Sequence, residues 1–228
     1  EVDAFIGVNE YEHLPELLED FSNFKESRII RNGTDCNFLA KQIRKFPENP
    51  YTATLKIAEG CNNICAYCVI PRIRGKYRSK KEEDVIEEAK ELADLGCKEL
   101  ILIAQDVTYY GMDLYGELRL PNLLKKLCKI DGIAWIRLMY CYEDRITDEL
   151  INVIATEDKI CNYLDIPIQH SSDKILKAMN RRSTSKSIDN TIKRLKTAIP
   201  DINIRTTLIA GFPGETEEDF DNLVNFVE

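Results

Sequence analysis

From residue 52 onward the chain alternates between two hydrophobic periods, and that alternation leaves few folds open. Apolar, β-branched runs fall at 54–58, 99–104, 135–142, 163–168 and 202–211. Between them the apolar residues take helical spacing, at 80–95, 120–130, 147–156, 173–180 with 187–199, and 217–227. Short runs separated by helical periods specify βα units and a parallel sheet. Five strands, each followed by a helix, predict an α/β domain. In such folds the chemistry gathers at the C-terminal ends of the strands.

Helix-end signals support the pattern. Ser79 with Glu82 reads as a capping box, and Thr216 with Asp219 as a capping threonine with an acidic first turn. Gly96 suits the left-handed position that ends a helix. Residues 1–45 read as one strand, one helix and a polar stretch, and are expected to be the tail of an upstream domain. Pro47 and Pro50 mark residues 46–52 as a linker, with the main domain at 53–228. The last helical period is still running at Glu228, so a sixth strand is expected next. At 44% hydrophobic and 31% charged, the composition is that of a globular protein. The net charge of −8 argues against general affinity for nucleic acid. No apolar run approaches a membrane span and no leader precedes the first strand, so the expected location is the cytoplasm, whose reducing conditions suit free thiols.

Three of the eight cysteines fall within one short stretch, EGCNNICAYC, as Cys61, Cys65 and Cys68. The stretch directly follows the first apolar run, which puts it at a strand end. Three thiolates on one tight loop can each hold an iron of a four-iron, four-sulfur cluster. The fourth iron would then be open to chemistry. A zinc site remains an alternative reading, although zinc prefers four ligands and no further Cys or His lies nearby. An electron carrier is another, although carriers usually saturate every iron with cysteine.

With Tyr67 before the third cysteine, this loop resembles the radical S-adenosylmethionine (SAM) superfamily. EGCNNICAYCVIPRIRGKYRS, with Pro71, Arg74 and Gly75, and the later GFPGET, with Gly211, Pro213, Gly214 and Glu215, resemble its methylthiotransferase family. AQDVTYYGMDLYG and IQHSSDKILKAMNRRST resemble the ribosomal-protein branch more than the transfer-RNA branch, which is the runner-up. The resemblance covers nearly all of residues 50–228. It implies a partial (βα)6 TIM-like barrel, truncated here after the fifth unit. It also implies methylthiolation of the β-carbon of an aspartate in ribosomal protein S-twelve, through a 5′-deoxyadenosyl radical. The implied cofactors are a 4Fe-4S cluster on Cys61, Cys65 and Cys68, and SAM. A second 4Fe-4S cluster is expected only in an N-terminal domain upstream of this segment. A small C-terminal barrel belongs to the family as well. The expected partners are S-twelve, in its ribosomal setting, and a reducing donor such as flavodoxin or ferredoxin. The sequence Ser79-Lys80-Lys81 departs from the family's Ser-Arg-Pro.

The remaining site residues follow from position and resemblance together. Tyr67 is implied to contact the adenine. Gln105 and Asp106 end the second strand and are candidates for the methionine or ribose groups, unless Asp106 merely caps a turn. Gln169 and His170 end the fourth strand; Gln169 is a cofactor candidate, and His170 is more readily structural. Arg205 is an apparent interior charge that needs a carboxylate, from the protein or from SAM. Gly211 and Gly214 would let the backbone approach the adenosine. The run Arg72, Arg74, Lys76, Arg78, Lys80 and Lys81 reads as a docking surface for a ribosome-associated target or as a solvated loop. Cys36, Cys97, Cys128, Cys141 and Cys161 receive no role.

Overall fold

The computed structural model describes residues 4–7, 13–23, 29–31 and 50–228. By its contacts the chain divides into units Glu1–Arg44 and Lys45–Glu228. In the first, β1 (Ala4–Ile6) pairs in parallel with β2 (Ile29–Arg31), and α1 (Leu14–Asn23) lies between them in sequence, with Leu17 buried. Residues 46–49 of the expected linker, and Cys36, lie outside the described residues.

The second unit carries a five-stranded sheet, every pair parallel, in the order β3 (Thr52–Lys56), β6 (Glu99–Ile103), β7 (Trp135–Leu138), β8 (Ile160–Asp165), β9 (Asn203–Arg205). Strand order therefore equals chain order, as successive βα units produce. A two-stranded antiparallel ribbon, β4 (Ala58–Glu59) with β5 (Arg78–Ser79), sits beyond the end of β3. The helices are α2 (Ile70–Arg74), α3 (Glu82–Asp94), α4 (Met112–Tyr115), α5 (Leu120–Leu127), α6 (Asp148–Thr156), α7 (Asp173–Ala178), α8 (Ser185–Ala198) and α9 (Glu217–Val227).

Alternation within each strand explains where the core sits. Leu55, Leu100, Leu102, Ile136, Leu138 and Leu164 point to one face and are fully buried, joined by Val85, Ala89 and Leu92 from α3 and Leu123, Leu124 and Leu127 from α5. The opposite face is mixed. There Glu99 Oε1 accepts from Arg137 Nε at 2.7 Å, and the Arg137 guanidinium lies 4.9 Å from the centre of the Tyr163 ring. Arg205 belongs to this open face. It is largely exposed rather than interior, and its nearest carboxylate is Asp165 at 3.6 Å. The one apolar residue of β9, Ile204, packs against the core on the other side of the alternation.

Each strand ends before the apolar run that announced it does. The run at 135–142 leaves the sheet after Leu138, where Tyr140 takes a positive φ of 60° and the Cys141 N–H reaches across to the Asp165 carbonyl at 2.8 Å. The run at 163–168 starts at Ile160 and stops before Pro167, which has no N–H for a ladder. The run at 202–211 keeps three residues in the strand, and the Thr206 hydroxyl then bonds the Ile166 carbonyl at 2.9 Å.

Ser79 is no helix cap. Its backbone N–H and its hydroxyl both donate to the Asp113 carboxylate, at 2.8 and 2.5 Å, and Lys81 occupies the cap position of α3 without a side-chain bond. A carboxylate taking two donors is the stronger partner. Glu82 pairs instead with Lys126, and its N–H donates to the Tyr115 hydroxyl at 3.2 Å. At α9 the local signal holds: Thr216 accepts from the Asp219 N–H, and the Asp219 side chain accepts from the Thr216 N–H. Gly96 has φ of 96° at the end of α3. Among the described residues no helix is long and apolar enough to cross a membrane.

Candidate active site

The cysteine loop leaves the sheet through the β4–β5 ribbon. Gly60 has φ of 78°, and a Cβ there would stand 2.2 Å from the Lys76 carbonyl oxygen, so glycine alone fits directly before Cys61. The Cys61 N–H donates to the Gly75 carbonyl at 3.2 Å, and Asn62 Oδ1 accepts from the Tyr77 N–H at 3.0 Å. On its other side the loop is held by the end of α7. The Ala66 N–H donates to the Met179 carbonyl at 2.9 Å, and Asn180 Nδ2 donates to the Ile64 carbonyl at 2.8 Å. The Arg-Gly pair has a structural place here: Arg74 donates to the buried Glu59 carboxylate at 2.9 Å, and Gly75 turns the chain back toward β5.

Cys61, Cys65 and Cys68 all line one cavity of about 420 Å³ at the C-terminal ends of the strands, a size that suits a small organic molecule. Tyr67, Gln105 and Gln169 line it too. Burial pushes the Cys61 thiol above its usual pKa, and the nearby Asp106 carboxylate adds to this, while the Asn63 N–H on its sulfur at 3.4 Å works against it. Burial likewise pushes the Tyr67 hydroxyl up to about 12, with Arg181 opposing.

Arg181 carries no local signal in the sequence, yet it is a principal polar group of the cavity. It follows α7 and is 8% exposed. Its Nη2 donates to Glu143 Oε2 at 2.8 Å, its Nη1 to the Tyr67 hydroxyl at 3.2 Å, and its guanidinium lies 4.2 Å from the Tyr142 ring centre. Burial raises the Glu143 carboxyl, and Arg181 pulls against that rise. The third nitrogen, Nε, is buried with no hydrogen-bond partner, and so is Gln105 Oε1. A charged donor and a neutral acceptor in the same cavity wall are thus left unmatched by protein.

Other candidates stand elsewhere. Asp106 is 2% exposed and does not line the cavity; it accepts from Asn63, Thr108 and Arg145 behind the cysteine loop. Arg205 and Gly211 are also outside the cavity wall. Gly211 has φ of 79° with open space where a Cβ would go, so backbone conformation rather than crowding calls for glycine. His170 is fully buried; its Nδ1 accepts from the Ser172 N–H at 2.9 Å and its Nε2 lies 3.8 Å from Glu215. Within the basic run, Arg74 and Lys80 are engaged by Glu59 and Glu88. Cys141, without a role on sequence grounds, is buried in the cavity wall, and burial raises its thiol well above the usual range.

The donor set fits a cluster with SAM. Cys61, Cys65 and Cys68 line the same cavity, and a cluster takes each thiolate on a separate iron. The unmatched Arg181 Nε and Gln105 Oε1 suit the charged and polar groups of an amino-acid moiety.

Comparison with known proteins agrees. Ribosomal protein uS12 methylthiotransferase RimO of Clostridium kluyveri is 50% identical over 228 residues, covering all of this chain and 51% of that protein. The enzymes of the same name from Clostridioides difficile and Alkaliphilus oremlandii are 51% and 52% identical, again across the whole chain. The chain spans about half the length of the curated relatives it matches. Among solved structures, the cobalamin-dependent SAM radical enzyme OxsB with aqua-cobalamin bound aligns with a TM-score of 0.63 at 15% identity, over 77% of this chain and 26% of its own. The radical SAM methyltransferase TsrM from Kitasatospora setae aligns at 0.59 and 18% identity, over 76% and 34%. At such identities the likeness is one of fold. The family profile of the Radical SAM superfamily matches residues 55–227, and the chain belongs to that superfamily.

Proposed function

We propose that this chain is the core of a methylthiotransferase that modifies an aspartate of ribosomal protein uS12. One observation carries the reading: Cys61, Cys65, Cys68, Arg181 and Gln105 line one cavity at the strand ends, and Arg181 Nε and Gln105 Oε1 are buried there without a hydrogen-bond partner. Identity near 50% along the whole chain to enzymes named for uS12 supports the choice of substrate. When bound, the reduced cluster and SAM supply one-electron cleavage of a carbon–sulfur bond and a radical able to take hydrogen from an unactivated carbon.

The chain's own residues bind and orient. Cys61, Cys65 and Cys68 would hold the cluster. Arg181, kept in place by Glu143, would supply positive charge to the carboxylate of SAM. Gln105 accepts from an ammonium or hydroxyl group, and Tyr67 and Gln169 line the space left for the nucleoside. Tyr140, Cys141 and Tyr142 complete the lining on the β7 side. Sulfur supply falls to a second cluster in the rest of the protein, and the electron to a flavodoxin- or ferredoxin-type donor.

The test is anaerobic reconstitution of the full-length protein, followed by incubation with SAM, reductant and either uS12 or tRNA. A methylthio mass gain on uS12 is expected. Gain on tRNA alone would move the assignment to the other branch, and a cluster signal indifferent to SAM would move it to an electron carrier.

A further inference from the structure

Asn63 stands between the first two cysteines, and its side-chain amide is engaged at both ends. Its Nδ2 donates to Asp106 Oδ2 at 3.0 Å, and its Oδ1 accepts from Arg145 Nη2 at 3.0 Å. Arg145 Nη1 then closes the ring on the same Asp106 oxygen at 2.6 Å. Three side chains from the segments that follow β4, β6 and β7 thus form a closed circuit. The circuit is itself braced. Thr108 donates to Asp106 Oδ1 at 2.5 Å, and the Tyr77 hydroxyl donates to the Asp106 carbonyl at 2.9 Å. The Arg145 guanidinium lies 4.8 and 5.0 Å from the ring centres of Tyr109 and Tyr142. The backbone of Asn63 faces the chemistry: its N–H is the donor to Cys61 Sγ.

We propose that the Asn63–Asp106–Arg145 ring is a positioning clamp, which holds the Asn63 N–H on the Cys61 sulfur and so sets both the grip on a cluster and its reduction potential. This rests on the reading that Cys61, Cys65 and Cys68 carry a cluster. Hydrogen bonds to ligand sulfurs are a recognised lever on cluster potential. A donor favours the more negative, reduced form, so the clamp raises the potential. Arg145 also neutralises the Asp106 carboxylate, which would otherwise act in the opposite direction. Partners that orient a metal ligand typically matter by 10- to 100-fold in affinity. The clamp also gives Asp106 a place outside cofactor contact: it acts on the loop, through Asn63.

Asn63→Ala removes both amide bonds and leaves the Asp106–Arg145 ion pair standing, so the βα units should fold. In the full-length, anaerobically reconstituted protein, this variant should lose iron to a chelator faster, on the order of 10- to 100-fold. Its midpoint potential should lie below that of the wild type. Arg145→Lys keeps the charge but not the fork, and should shift both readings in the same direction by less. Wild-type release and wild-type potential in Asn63→Ala would overturn the clamp while leaving the cluster assignment intact. A wild-type protein that takes up no cluster would overturn both. Should Asn63→Ala lose iron outright, amide hydrogen exchange of the cluster-free protein decides. Faster exchange confined to residues 61–66 supports the clamp, and faster exchange throughout the sheet overturns it.

Discussion

Two loops at the same end of the sheet differ in how many elements hold them. The cysteine loop is fixed from a distance: its partners are Gly75 and Tyr77 beyond its own helix, Asp106 and Arg145 from the next two strand ends, and Met179 and Asn180 from the end of α7. The loop between β9 and α9 is held by its own residues and by one neighbour, the segment after β8. Phe212 N–H donates to Glu215 at 2.8 Å and Thr216 and Asp219 cap each other, while the Ile209 N–H donates to the Gln169 carbonyl at 2.8 Å and Ser172 donates to Asp219 Oδ1 at 2.7 Å. The first is tied to several elements far away in sequence, and the second to itself and one neighbour. A loop that must present three thiolates in fixed relation gains rigidity from the first arrangement, since each clamp lies on a different packed element.

The largest test of this contrast is at the cysteines. Cys65→Ala should abolish 5′-deoxyadenosine formation by the reconstituted full-length protein, as read by chromatography, whereas Cys141→Ala in the same cavity should retain it. Next come the glycines. Gly60→Ala meets both a positive φ and a backbone oxygen 2.2 Å away, and should lower unfolding free energy by about 3 kcal/mol or more in urea titration. Gly211→Ala meets only the positive φ, and should cost about 1 kcal/mol. Equal costs at the two positions would erase the distinction between the loops. Thr216→Ala should cost about 1 kcal/mol, the usual worth of a helix cap, with no change in iron content.

The smallest effect is a pH dependence. Hydrogen bonds from Ser172, Thr216 and Lys174 hold the Asp219 carboxyl far below its usual range. Its pKa is therefore lower folded than unfolded, so its stabilisation is complete above about pH 4 and is lost as the pH falls through the folded value. Asp219→Asn should be less stable than wild type at pH 7, and the gap should close in acid-series thermal melts below about pH 4.

The same contrast decides what a reader of the sequence can see. Strand and helix periods are local, so all five βα units were legible, as was the Thr216–Asp219 cap three residues across. Ser79 and Glu82 carry an equally good local signal, and it fails because Asp113, 34 residues on, takes both Ser79 donors. Residues 140–142 are as apolar as a strand but line a cavity, and composition does not separate the two cases. Asp106 shows its place at a strand end but not the Arg145 that claims it. Arg181, one of two arginines after a helix, resembles an ordinary charge at a helix C-terminus. Only the folded chain brings Glu143 and Tyr67 to it.

Chain order and strand order coincide here, and this has a consequence in time. A ribosome delivers the cysteines with the first βα unit of this domain but delivers their fasteners later, the last of them, Asn180, 116 residues after its partner Ile64. Until four units have docked, the thiols hang from an unfinished cradle. On the proposed reading, iron loading would follow synthesis of this domain, and a nascent chain stalled before α7 should take up less iron than the completed protein.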